Sequence, residues 1–93
     1  MEVVFSRRAK TDLQNIVTHI ATDDPKAAQN FGDQIIDALR SLANNPHHAR
    51  PGRVSGTREL IVHKSYIAAY TVTEHTVTIL TVRHAARLWP GSF

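Results

Sequence analysis

Apolar residues recur at two different periods along this chain, and the change of period divides it into a helical part and a stranded part. Ala9, Leu13, Ile16, Val17, Ile20 and Ala21 are spaced by three and four residues, which predicts an amphipathic helix of about four turns with one apolar stripe. Ser6 stands just ahead of it as an N-cap, its hydroxyl placed to accept from a free N–H of the first turn. Ala28, Phe31, Ile35, Ala38, Leu39 and Leu42 repeat the pattern. Between the two stripes lies Asp23-Asp24-Pro25, where an aspartate caps the second helix and proline takes its first position, which needs no N–H donor. Asn44-Asn45-Pro46 then stops the second helix. Two helices joined so tightly form an antiparallel hairpin.

Elsewhere the period shortens to that of extended chain. Glu2–Phe5 is a brief β-prone run, and Arg58–His63, residues 66–73 and residues 76–83 are runs rich in Val, Ile, Thr and Tyr, which read as consecutive antiparallel strands. Glu74-His75 is the tight turn between the last two. From His47 to Gly56 the Pro and Gly residues punctuate a loop in which neither helix nor strand is expected. Residues 85–93 form a short basic and aromatic tail. The predicted fold is α+β, a single domain over residues 1–93: an N-terminal strand, a helix hairpin, then a three-stranded antiparallel meander. The helices cover one face of an antiparallel sheet and leave the other face open.

Composition narrows the class. With 42% hydrophobic and 20% charged residues, the chain is too apolar for intrinsic disorder. It has no cysteine, which removes disulfides, thiolate metal sites and cysteine nucleophiles. The opening residues lack the order of a signal peptide, because the basic pair Arg7-Arg8 follows the apolar run. No apolar stretch approaches the roughly 20 residues of a membrane span. A soluble, cytoplasmic protein without membrane contact is expected. Charge is uneven: residues 1–49 carry five Lys/Arg against six Asp/Glu, and residues 50–93 carry six against two. A positive field concentrated in one half suits phosphate or an acidic protein as partner.

Candidate chemistry gathers on the strands. Arg58, Tyr66, Tyr70, Arg83 and His84 come from neighbouring strands or their ends and are expected toward the open face, although Arg83 and His84 are adjacent and point oppositely. Each also has a plainer role. Arg58 and Glu59 pair with neighbours at a sheet edge, the two tyrosines are packing residues rather than stacking platforms, and His84 is either a proton-transfer group or a structural histidine. Trp89 and Phe93 either dock back on the fold or stay exposed for a partner. His47-His48 matches no helical or strand ligand spacing, so no metal is expected, and nothing in the chain points to a cofactor.

Several segments in order carry a resemblance: residues 1–6 with Ala9-Lys10-Thr11-Asp12-Leu13-Gln14-Asn15-Ile16, then Asp24-Pro25-Lys26-Ala27-Ala28, Gly52–Leu60, Tyr66–Val72 and Val77–His84. Together they resemble the RelE/ParE superfamily of toxins from type II toxin–antitoxin systems, with the ParE branch the nearer. The resemblance implies a growth-inhibiting toxin silenced by a cognate antitoxin, whose acidic amphipathic segment covers the sheet edge and helix hairpin. Operator DNA would be reached only through that antitoxin. It also implies either poisoning of DNA gyrase, as in ParE-like members, or cleavage of mRNA on the ribosome, as in RelE-like members. RNA-cutting members commonly carry an arginine where Ile67 stands, and only Arg53, Arg58, Lys64 and His84 remain as partial counterparts of a catalytic set. The expectation is therefore a non-hydrolytic ParE-like action, with a ribosome-dependent endoribonuclease as the alternative. Target contact is expected from Arg58, Tyr66, Arg83, His84, Arg87 and Trp89.

Overall fold

The computed structural model describes residues 1–63, 65–87, 89–91 and 93; Lys64, one of the basic candidates, lies outside them. Ser6 begins the helical layer in a double role. Its Oγ accepts from the Ala9 N–H at 3.0 Å and donates to the Leu80 carbonyl at 2.9 Å, so the cap of α1 (Arg7–Asp23) is also tied to the far end of the chain. Asp24 caps α2 (Pro25–Arg40) by accepting from the Ala27 N–H at 3.1 Å, with Pro25 in the first turn as expected. A single 3₁₀ turn, Ser41–Ala43, follows.

The strands are β1 (Glu2–Phe5), β2 (Arg50–Pro51), β3 (Arg58–His63), β4 (Tyr66–Val72) and β5 (Thr76–His84). They form one sheet in the order β1-β5-β4-β3-β2. The meander β3-β4-β5 is antiparallel as expected. Beside it, β1 pairs with β5 in parallel, so the sheet is mixed rather than wholly antiparallel. The loop after α2 was expected to hold no strand, yet Arg50 and Pro51 pair with Glu59 and Arg58. Proline is tolerated there because β2 is a sheet edge. The β4–β5 turn falls at Glu74-His75, closed by the Thr73 N–H on the Thr76 carbonyl at 2.9 Å.

Helices and sheet enclose one core. Ala9, Phe31, Ile35, Leu39 and Leu42 from the helical layer meet Val62, Ala68, Tyr70, Val77, Ile79 and Val82 from the strands. Leu13, Ile16 and Ile20 pack against it at the margin, while Val17 of the same stripe lines a groove with Gly32 and Ile36 on the hairpin. Among the described residues no helix is long and apolar enough to cross a membrane.

The far sheet face is only partly open, with Ile61 exposed. Ile67 and Ala69 point away from the helices yet are 4% and 0% exposed. Two tail rings pack on arginines: the Trp89 ring lies 6.1 Å from Phe93, with Arg53 over the indole and Arg83, the register partner of Ile67, over the Phe93 ring. Tyr66 and Tyr70 share a face, but it is the helix-facing one, where both pack with the core.

Tyr70 gives a first prediction. Its hydroxyl donates to the Pro46 carbonyl at 2.8 Å and its ring is wholly buried. Burial raises the phenol above its ordinary value near 10, with the Arg58 charge partly opposing. A raised value favours the neutral form in the folded state, so this contribution is complete below about pH 10 and is lost as pH rises through the folded-state value. Tyr70→Phe is expected to cost about 1 kcal/mol at neutral pH and to flatten the alkaline decline. Melting curves between pH 8 and pH 11 check it, and an unchanged decline would rule Tyr70 out as its source.

Candidate functional site

The sheet is incomplete on one side of β5, and the candidate site forms in that gap. β1 ends at Phe5 opposite Ile79, so residues 80–84 of β5 have no strand beyond them and the first turns of α1 lie alongside instead. Val82 would otherwise leave an unpaired N–H. The Asp12 carboxylate accepts from it at 3.1 Å and also from the buried Thr81 hydroxyl. Asp12, Asn15 and His19 project from one side of α1 at helical spacing. Opposite them stand Tyr66, Arg83, His84 and Arg87, and the two sides line a cleft of about 220 Å³. Because the strand edge is open here, side chains from both faces of β5 reach it, so adjacent Arg83 and His84 share one site despite opposite orientations.

The electrostatics of this cleft favour an anion. The Arg83 Nε donates to Thr81 Oγ1 at 3.2 Å. Its guanidinium is pulled below the ordinary arginine value, first by burial and then by repulsion from Arg87 and Arg8, with Asp12 opposing. It stays charged at neutral pH, since an arginine begins so high. His84 is exposed, its ring set edge-on to Tyr66 at 5.4 Å, and its Nδ1 accepts from the Ala86 N–H at 3.1 Å. That contact places the proton of the neutral ring on Nε2. Tyr66 is held from behind by Phe31 at 5.2 Å and by His63. Two guanidinium groups and an imidazole thus converge on one opening, an arrangement suited to carboxylate or phosphate.

The other candidates lie apart. Arg58 turns toward the loop after α2, where its NH1 donates to the Ala49 carbonyl at 2.8 Å and to the His47 carbonyl at 3.4 Å; it braces the loop. Arg53 stands 4.6 Å over the Trp89 ring, with Glu59 at its base. Of the six residues expected to meet a target, four are brought together, Trp89 joins Arg53 on the far sheet face, and Arg58 is separate. Sequence reasoning missed Asp12, Asn15 and His19, although their spacing by three and four was visible. Among the described residues no group of three or more His, Asp or Glu side chains is placed to hold a metal ion.

Comparison with known proteins agrees with this fold. Residues 3–89 match the family model described as the ParE toxin of the type II toxin–antitoxin system parDE. Y4kP of Sinorhizobium fredii, proposed to be a toxin, is 42% identical over 87 residues, covering 92% of this chain and 90% of that protein. Toxin RelE2 of Caulobacter vibrioides is 38% identical over 94% of this chain and 98% of its own length. Among solved structures, the chromosomal ParDE toxin–antitoxin system of P. aeruginosa superposes with a TM-score of 0.82 at 25% identity, covering 90% of this chain and 95% of that one. The YoeB–YefM complex of Staphylococcus aureus, with a TM-score of 0.62 at 15% identity over 90% of this chain and 95% of its own, shares the fold. A strand, a helix hairpin and a meander in this order, matched along nearly the whole chain, place the protein in the ParE toxin family within the RelE/ParE superfamily of type II toxin–antitoxin systems.

Proposed function

We propose that this toxin inhibits growth by ParE-like poisoning of DNA gyrase and is neutralised by a cognate antitoxin. The observation that carries the choice of target is Ile67. It stands where RNA-cutting relatives commonly carry arginine, and here it is 4% exposed, packed on the far sheet face between Ile61 and Arg83 in the strand register. An isoleucine there supplies no cation at that position for a scissile phosphate, and removing one such contact from an active site typically costs about 10²–10³ in rate. Arg58, the other strand candidate, spends its NH1 on loop carbonyls. Trapping a gyrase–DNA intermediate requires a complementary surface, and the cleft at Arg83, His84 and Arg87 supplies a charged one.

An antitoxin is supported by the related systems, two of which were solved as toxin–antitoxin pairs or named for them. The groove between the helices, about 540 Å³ and lined by Leu13, Val17, Gly32 and Ile36, suits the apolar side of an amphipathic segment. The alternative, ribosome-dependent mRNA cleavage, draws on the name of the RelE2 relative and on His84 lying beside Arg83 and Arg87.

A paired experiment decides between the targets. Purified toxin is expected to block supercoiling by purified gyrase and to accumulate cleaved DNA, while primer extension on mRNA from induced cells shows no discrete cuts. Induced cells are expected to filament, and coexpression of a cognate antitoxin to restore growth. Discrete cleavage in the ribosomal A site with unaffected gyrase would replace this reading with the endoribonuclease.

A further inference from the structure

A second charged surface lies at the other end of the meander from the cleft. Between residues 38 and 73 the sequence contains one acidic residue, Glu59, against Arg40, Arg50, Arg53, Arg58, Lys64 and three histidines. That single acid does not face solvent: it is 2% exposed. Its Oε1 accepts from Arg50 NH2 at 3.2 Å and lies 3.6 Å from Arg53 Nε, and its Oε2 accepts from the Arg53 N–H at 2.7 Å. The acid is spent inside the loop, and both arginines point outward with side chains about half exposed, 51% for Arg50 and 46% for Arg53. Beyond these contacts and the Trp89 ring, their guanidinium nitrogens have no partner among the described residues. His47 and His48 are exposed on the same loop.

The loop is also braced at each turn. Tyr70 holds the Pro46 carbonyl, Arg58 holds those of His47 and Ala49, and the Gly52 N–H donates to the Thr57 carbonyl at 2.7 Å. Gly52 is required there, because a Cβ would run into Thr57. Gly56 turns the chain with φ of +80°, a left-handed conformation that favours glycine. Arginines fixed in this way lose little freedom on meeting a ligand.

We infer that the loop carrying His47, His48, Arg50 and Arg53 is a docking surface for the phosphate backbone of duplex DNA, contacted directly by the toxin. Two features select a nucleic acid over an acidic polypeptide. Protein partners dock through buried apolar anchors, but among the described residues the exposed large apolar side chains are Met1, Val4, Ile61 and Phe93, none of them in this loop. Phosphate contact needs only cations and polar groups, and it proceeds through a wet, apolar-poor interface. Contact with the phosphate backbone carries no sequence information, so this docking leaves operator recognition to the antitoxin. The inference goes beyond the gyrase proposal and does not depend on it, because it concerns the free toxin and DNA.

The test is fluorescence anisotropy of a labelled 30-base-pair duplex of scrambled sequence with the full chain, across a salt series. Arg50→Gln with Arg53→Gln removes two charges while the backbone N–H of residue 53 still donates to the buried Glu59. This double variant is expected to bind about tenfold or more weakly at low salt, and to lower the slope of log K against log salt by about 2. His47→Glu with His48→Glu, at exposed positions outside the brace, is expected to weaken binding as well. Lys10→Ala with Lys26→Ala, which removes the same charge from exposed helix positions, is expected to leave binding within about twofold. Equal loss in the helix variant would show that net charge alone attracts DNA and would overturn the inference. So would unchanged DNA binding in both loop variants, including the case in which they lose antitoxin instead, which would assign the surface to a polypeptide.

Discussion

Replacing Arg83 and Arg87 together by alanine is expected to raise plating efficiency on induction by about a hundredfold or more, with antitoxin copurification unchanged. The size follows from the chemistry of the cleft. The Arg83 guanidinium stands at the end of β5 with Arg87 just beyond it, and each lost contact between a charged group and its partner weakens an interface by roughly ten- to a hundredfold. Arg83 also packs on Thr81 and Phe93, so a thermal melt must accompany the assay. Arg83→Lys with Arg87→Lys keeps the charge but not the planar fork, and is expected to recover only part of the toxicity. Point substitution is preferable to truncation after Arg83. Removing residues 84–93 takes away Trp89 and Phe93, with their contacts to Arg53 and Arg83, as well as His84 and Arg87. If the alanine pair stays fully toxic while folded, the cleft is not the target surface.

Asp12→Ala is expected to lower unfolding free energy by about 2–4 kcal/mol, because it strips one acceptor from two donors at once. Thr81 is fully buried and Val82 is 1% exposed, and both lose their shared carboxylate partner. Asp12→Asn keeps one acceptor oxygen and is expected to lose less. Urea midpoints measure the series, with exposed Asp33→Ala as the reference near zero. A change below about 0.5 kcal/mol, within the range of ordinary surface substitutions, would show that α1 does not brace the strand end. The same variant is expected to reduce toxicity, since β5 carries Arg83 and His84 directly after the two residues that Asp12 holds.

Local signals and long-range contacts were legible to different degrees. Ser6, Asp24 and Pro25 announce helix starts through chemistry complete within four residues, and the apolar stripes around them mark the buried face without any knowledge of its partner. The three meander strands fall within two residues of their expected bounds for the same reason. The parallel partner of β1 is another matter: nothing in Glu2–Phe5 specifies Thr76–Ile79, more than seventy residues away. Arg50-Pro51 was missed because two residues carry no periodicity and proline argues against a strand. In the site, alternation placed Tyr66 and Tyr70 on one face correctly but could not say which face the helices take. Trp89 was left between docking and exposure, and Arg53, far away in sequence, decides it. Ile67 is singled out by resemblance alone, and its burial is visible only in the folded chain.

The strand order also sets a schedule. β1 is the first strand to be synthesised, and its partner β5 is the last. Ser6 and Asp12 make their tertiary hydrogen bonds to Leu80, Thr81 and Val82. The helix hairpin can form early from local contacts, whereas closing the sheet must wait until residues 76–82 are free of the ribosome and then overcome the entropy of a long loop. Folding is thereby held back until β5 has been made. The cleft, built where those first and last segments meet, is the latest part of the toxin to exist, and a nascent chain stopped before β5 carries the helices of the fold without the surface proposed to do harm.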